Sequence, residues 1–284
     1  MADYIGRFAP SPTGDLHFGS LVAALASYLD ARHHQGQWLL RIDDIDQFRV
    51  DKKATPEILT TLKYFGLQWD GIIRYQNQNI NAYQQALTHL EQQNLAYPCV
   101  CSRTEIFKLS AAGIYLGTCK DWGIDQTLPH SIRISVAGII RFTDQLHVQV
   151  EQSLSTAVGD FIIKRKDGIF AYQLATVVDD AAQGITHIVR GDDLLDSTPR
   201  QIYLQQCLNY PAISYTHIPV VKDKQGIKLS KQSHAKPLDK KHPIETLKQA
   251  LQFLNQPIPQ NITSIPILLQ KAIENWQIKS IKYE

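Results

Sequence analysis

No run of apolar residues in this sequence approaches the roughly 18 needed to span a bilayer, which excludes an ordinary membrane helix. The Met1-Ala-Asp start has no basic stretch followed by an apolar core, so no secretory leader is expected. An excess of charge is missing too. The 29 Lys and Arg against 27 Asp and Glu leave a net charge of +2 and a pI near 8.2, which neither demands nor excludes a nucleic-acid partner. There is no internal repeat and no low-complexity segment. Cysteine is scarce, at four residues, yet Cys99 and Cys101 form a close pair with Cys119 further on. In a reducing compartment such a cluster points to metal binding ahead of disulfides. Cys207 falls in a helical pattern with Ile202, Tyr203 and Leu208 and is expected in the core. What is present is a folded composition, 44% hydrophobic and 20% charged over 284 residues, enough for one large core and one or two smaller units. A cytoplasmic monomer is expected.

The stretch Arg7 to Ser20, R-F-A-P-S-P-T-G-D-L-H-F-G-S, reads as a strand, a turn and a helix start. Pro10 and Pro12 forbid helix around themselves, and Gly14 permits a tight turn. Phe18, Leu21, Val22, Leu25 and Leu29 then recur at the spacing of one buried helix face. His17 therefore sits at a helix N-terminus, where unpaired amides and the dipole favour phosphate and a side-chain-free Gly19 lets an anion approach. The same pattern also serves a plain first βα turn, and this stretch alone does not choose between the two.

Trp38 to Ile42 reads as a short strand ending in the acidic run Asp43, Asp44, Asp46. Helices are expected from Asp51 to Gly66 and from Asn79 to Asn94. Such alternation implies βαβ units and a parallel sheet, whose strand ends bind ligands. From Tyr97 to about Ser155 the pattern breaks into short alternating stretches, Ile132–Val136 and His147–Val150, taken as antiparallel strands of an insertion. The α/β signal returns with Phe161-Ile162-Ile163, Tyr172 to Ala182 and Ile185 to Val189, after which Arg190-Gly191-Asp192-Asp193 is expected to open a helix. Beyond Pro219 lies the densest basic segment, with lysines 222, 224, 228, 231 and 236, and Gly226 gives it freedom to move. A helix from Ile244 to Leu254 and a helical tail follow. The expected division is 1–96 and 159–220 as halves of one catalytic domain, 97–158 as the insertion, and 221–284 as a lysine loop with a helical end.

The turn at His17 and Gly19 resembles the H-I-G-H signature, and Lys228-Leu229-Ser230-Lys231-Gln232 resembles the K-M-S-K-S signature, of class I aminoacyl-tRNA synthetases. The opening motif, L-R-I-D-D-I-D, V-V-D-D and I-V-R-G-D-D together are similar to the glutamyl-tRNA synthetase branch over roughly residues 3 to 236. With its C-X-C pair, and stopping where such an enzyme would continue into an anticodon-binding domain, the chain resembles the glutamyl-queuosine tRNA(Asp) synthetase family. That family attaches glutamate to the queuosine base of the tRNA(Asp) anticodon loop. The resemblance implies an α/β, Rossmann-like class I sheet with an inserted, zinc-binding α+β subdomain. It also implies ATP with Mg2+ as co-substrate, and L-glutamate and queuosine-bearing tRNA(Asp) as partners.

Adenylate formation needs no protein nucleophile, because two anions must only be aligned and their charge neutralised. The resemblance gives that work to His17 and Gly19 on the nucleotide, with Lys231 stabilising the transition state and Lys228 assisting. Glutamate would be held by Arg7, Phe8, Ala9, Pro10, Ser11, Asp43, Tyr172 and Arg190, with the arginines as bidentate carboxylate readers. Asp43 stands where the family has Glu and is shorter by roughly 1.5 Å. The backbone moves in, a water bridges to the ammonium, or Asp44 shares the role. Thr176 stands where Asn is usual. Cys99, Cys101 and Cys119 suit zinc, which takes four N, S or O ligands; the resemblance offers Tyr115 as the fourth, with His130 or water as alternatives. His33, His34 and His89 are expected to be solvated or core. The competing functions are a truncated glutamyl-tRNA synthetase charging the terminal adenosine and an inactive tRNA-binding paralogue. Intact His17, Gly19, Lys228 and Lys231 argue against the paralogue, and the missing anticodon domain argues against ordinary charging.

Overall fold

The computed structural model describes residues 4–125, 127–223, 225–229 and 238–283. Lys224, Lys231 and Lys236 of the basic segment lie outside the described residues. The chain opens as expected with β1 (Ile5–Phe8), the proline turn, and α1 (Phe18–His33). His17 caps α1, its Nδ1 accepting from the Ser20 amide at 3.3 Å. The return from α1 is tight because Gln37 N donates to Tyr4 O at 2.9 Å, and a Cβ on Gly36 would lie 2.3 Å from that oxygen. β2 (Gln37–Ile42) then runs parallel to β1, from Ile5 opposite Gln37 to Phe8 opposite Leu40. After α2 (Ala54–Tyr64), β3 (Asp70–Tyr75) adds parallel to β2.

α3 (Ile80–Gln92) leads into β4 (Ala96–Cys99) and α4 (Arg103–Leu109). Next come β5 (Ser131–Ile134), β6 (Ile139–Asp144), β7 (Val148–Ser153) and the single turn α5 (Leu154–Ala157). β8 (Phe161–Lys164) pairs antiparallel with β5, which also pairs with β4. α6 (Tyr172–Ala182) precedes β9 (His187–Gly191). The helix expected at Arg190 is instead a 3-10 segment over Asp192–Ser197, and α7 (Thr198–Cys207) starts only where Pro199 can sit in a first turn. β10 (Ser214–Ile218) lies parallel to β9 and also meets the end of β6, Tyr215 opposite Asp144. Strands within 97–158 are therefore hydrogen-bonded to strands on its C-terminal side.

β1 meets β9 through Thr186, whose amide donates to Ile5 O while its hydroxyl accepts from Ile5 N, each at 2.9 Å. The parallel strands run outward from this seam, toward β2 and β3 on one side and β10 on the other. A switch in strand order places a crevice at the strand C-termini.

α1 departs from its expected single buried face. Apart from Ala23, every residue from Leu21 to Ala31 is buried. β1, β2 and β9 cover one side, while α8 (Pro243–Phe253) and α9 (Ile265–Glu274) cover the other. Asp30, 1% exposed near its C-terminal end, accepts from Tyr4 OH and from Trp276 Nε1, the latter at 2.9 Å. No described helix is long and apolar enough to cross a membrane. Leu25 sits at the centre of this cluster with no exposed surface. Leu25→Ala is expected to lower unfolding free energy by about 2–5 kcal/mol, read by denaturant titration.

Candidate active site

The crevice at the strand ends is a cavity of about 750 Å³, within the range of small-molecule sites. Its wall brings together residues from distant parts of the sequence. Arg7, Phe8, Ala9, Pro10 and Ser11 come from the end of β1, and His17 and Gly19 from the start of α1. Asp43 follows β2, Tyr172 begins α6, Arg190 lies in β9, and Lys228 follows β10. Every expected glutamate and nucleotide residue that falls among the described residues borders this one space. A Cβ on Gly19 would sit 3.2 Å from the His17 ring, so the glycine leaves that ring its place at the helix end. Lys228 pairs with the carboxylate of Asp193 at the rim.

Behind the wall lies a network of ions. Arg7 Nε and Nη2 donate to Asp180 at 3.3 and 3.4 Å. Arg41 donates from Nη1 to Asp180 at 2.6 Å and from Nε to Asp43 at 2.7 Å, with Asp179 at 3.8 Å. Asp179 in turn accepts from Gln76, Asn79 and Tyr83. Three carboxylates face two guanidiniums here, so the fully ionised cluster carries one surplus negative charge, and of its members Arg7 and Asp43 border the cavity. Burial pushes the Asp43 carboxyl up to about 6, against the pull of Arg41 and Arg7. Asp180 goes the other way: burial opposes its charge, but the two arginines hold it below the usual carboxylate range.

The second carboxylate considered for the substrate ammonium, Asp44, turns away. It accepts from the Asn77 amide at 2.9 Å and does not border the cavity. Thr176 is buried and also outside the wall. Arg190 is 4% exposed, and its Nη1 is buried with no hydrogen-bond partner among the described residues. A planar cation beside a cavity with one unpaired nitrogen is suited to an anionic ligand group.

A separate cluster holds Cys99, Cys101 and Cys119, whose sulfurs lie within 4.8 Å of one another. The Tyr115 hydroxyl is 3.4 Å from Cys99 Sγ and 3.7 Å from Cys101 Sγ. Sulfurs bound to one tetrahedral zinc at about 2.3 Å would be ~3.8 Å apart, so this donor set fits that ion. Gly159 places the tyrosine: its φ is +70°, and a Cβ would lie 2.4 Å from Tyr115 O. His130 is half-buried, and its Nδ1 is hydrogen-bonded to Leu128 O at 2.7 Å. Sequence reasoning missed Arg133, which donates to Cys99 Sγ at 3.2 Å with its guanidinium 3.9 Å from the Tyr115 ring centre. It also missed Arg41, Asp144 and His217. Their one signal was polarity inside apolar strand patterns or at a strand end.

Residues 5–251 match the family described as tRNA synthetases class I (E and Q), catalytic domain. A protein named glutamyl-Q tRNA(Asp) synthetase from Yersinia pseudotuberculosis is 48% identical, the match covering 98% of this chain and 84% of that one. A protein of the same name from Janthinobacterium sp. is also 48% identical, over 96% of both chains. The crystal structure of a glutamate-tRNA synthetase from Elizabethkingia anophelis shares the fold with a TM-score of 0.82 at 21% identity, covering 98% of this chain and 66% of that one.

The cysteine cluster carries its own prediction. The purified protein is expected to contain about one zinc ion per chain, lost in Cys119→Ser and retained in Cys207→Ser, as measured by elemental analysis.

Proposed function

The chain belongs to the glutamyl-Q tRNA(Asp) synthetases, ligases built on the class I synthetase catalytic domain, and on that premise we propose that it activates L-glutamate with ATP and transfers the glutamyl group to queuosine in the tRNA(Asp) anticodon loop. The observation that carries this reading is the convergence of Arg7, Arg190 and Asp43 with His17, Gly19 and Lys228 on one cavity. Glutamate brings two carboxylates and an ammonium. Arg190, with its unpaired Nη1, suits the first kind of group, and the negative cluster around Asp43 suits the second. Phe8, Ala9, Pro10, Ser11 and Tyr172 shape the space between them.

The chemistry asks little of the protein beyond alignment. The glutamate α-carboxylate attacks the ATP α-phosphate and pyrophosphate leaves; an acceptor group on the modified base then displaces AMP. The amides at the start of α1, with His17 and Gly19, hold phosphate oxygens, and Lys228 and Lys231 neutralise charge as it spreads. Mg2+ accompanies ATP as its counter-ion. Cys99, Cys101, Cys119 and Tyr115 would hold a structural zinc, and none of them borders the cavity.

Glutamate-dependent exchange of pyrophosphate into ATP is expected without tRNA. The acceptor is tested by supplying labelled glutamate to queuosine-bearing tRNA trimmed of its terminal adenosine: label is expected to be retained. Loss of label would assign the activity to the terminal adenosine, and no exchange under any condition would refute glutamate activation.

Asp43 adds a pH dependence. Its carboxyl, raised to about 6, is charged above that pH and neutral below it, so the Michaelis constant for glutamate is expected to rise as pH falls through about 6. Asp43→Asn should raise that constant at neutral pH and abolish this acid-dependent rise, while the constant for ATP stays the same.

A further inference from the structure

Arg190 is not left to find its own orientation. Its Nε donates to His217 Nε2 at 3.1 Å and its Nη2 to Thr198 Oγ1 at 2.7 Å. Two of the three nitrogens of a rigid planar group are thereby fixed, which fixes the third, Nη1, which has no hydrogen-bond partner among the described residues. The Nε contact has a chemical condition. Imidazole Nε2 accepts a hydrogen bond only when it carries no proton, so the ring must be neutral with its proton on Nδ1.

Asp144 meets that condition. Its Oδ2 accepts from His217 Nδ1 at 2.7 Å and from the His217 amide at 3.0 Å. Its Oδ1 accepts from the amides of Leu146 and His147 at 2.9 and 3.0 Å, in the turn between β6 and β7. The His217 and Asp144 side chains have no exposed surface, and neither residue borders the cavity. Burial holds the imidazole below its ordinary range, and the Arg190 charge adds to this. Burial opposes ionisation of Asp144, but the His217 bond and the turn amides hold its carboxyl low. The Tyr215 ring backs the guanidinium at 5.4 Å, and Tyr283 OH donates to His217 O.

We propose that Asp144 and His217 form a relay that orients Arg190 for reading a substrate carboxylate, making them positioning residues for amino-acid specificity. This rests on the reading of Arg190 as a glutamate ligand. The role differs from plain core packing because the last member of the chain faces the substrate space. At metal sites, outer partners that orient a ligating side chain typically change affinity by about 10- to 100-fold when removed, and an arginine fixed in the same way is expected to respond on that scale.

The test compares His217→Leu, His217→Gln, Asp144→Asn and Arg190→Gln in the full chain. Pyrophosphate exchange gives the constants for glutamate and ATP, kcat, and the preference for glutamate over glutamine, and melting temperature is recorded for each. His217→Leu and Asp144→Asn are expected to raise the glutamate constant about 10- to 100-fold and to lower the preference over glutamine, with the ATP constant unchanged. His217→Gln, which offers Arg190 an amide oxygen, should recover most of the loss. If Arg190→Gln raises the glutamate constant but His217→Leu and Asp144→Asn change only melting temperature or kcat, the relay is refuted. Should Arg190→Gln leave the constant unchanged, the reading of Arg190 itself fails, and the relay with it. Asp144→Asn preserves shape and keeps the comparison decisive if His217→Leu does not fold.

Discussion

The pairing of Arg7 and Arg41 with Asp180 is the contact on which the cavity depends. It joins β1 and β2 to α6, which follows them by more than a hundred residues, at the end of the strands that borders the cavity. Buried ion pairs are poor sources of net stability, because removing charge from water costs about as much as the attraction returns. Their effect is on alternatives: a one-residue slip of β2 against β1 would leave buried charges unpartnered, at a cost of roughly 3–5 kcal/mol each. The network therefore fixes register where misplacement by 1 Å would matter most. Its surplus carboxylate, Asp43, leaves negative charge exposed toward the cavity.

The glycines and caps act on the same end of the molecule. His17 caps α1 with one ring nitrogen, and Gly19 leaves room for the ring. Arg190 on β9 is fixed by neighbours behind the wall. Side chains at the cavity surface thus owe their directions to contacts outside it, a form of preorganisation that lowers the ordering needed on binding.

Local patterns made part of this legible. The spacing of Leu21, Val22, Leu25 and Leu29 announces α1, and Pro10, Pro12 and Gly14 announce the turn before it. The cavity residues were found through motifs, each short and contiguous. Arg133 escaped because it occupies the polar position of the alternating strand Ile132-Arg133-Ile134, which period-two patterning assigns to solvent, and His217 because Tyr215-Thr216-His217-Ile218 shows no clear alternation. Here those faces are covered by other elements, so the polar side chains turn to partners 34 and 73 residues away. Pairings of that kind leave no trace in local periodicity. The burial of α1 on all sides was hidden for a related reason, since its second cover comes from α8 and α9.

That second cover has a consequence for how the chain is made. α1 is among the first elements synthesised, but Trp276, which closes on Asp30 at its far end, follows it by 246 positions. Until residues 243–276 emerge, the outer apolar side of the helix bearing His17 has no native partner. Contacts of such sequence separation slow folding and expose apolar surface in the meantime. The helix whose first residues border the cavity is therefore among the last parts of the molecule to be fully covered, although it is encoded near the start.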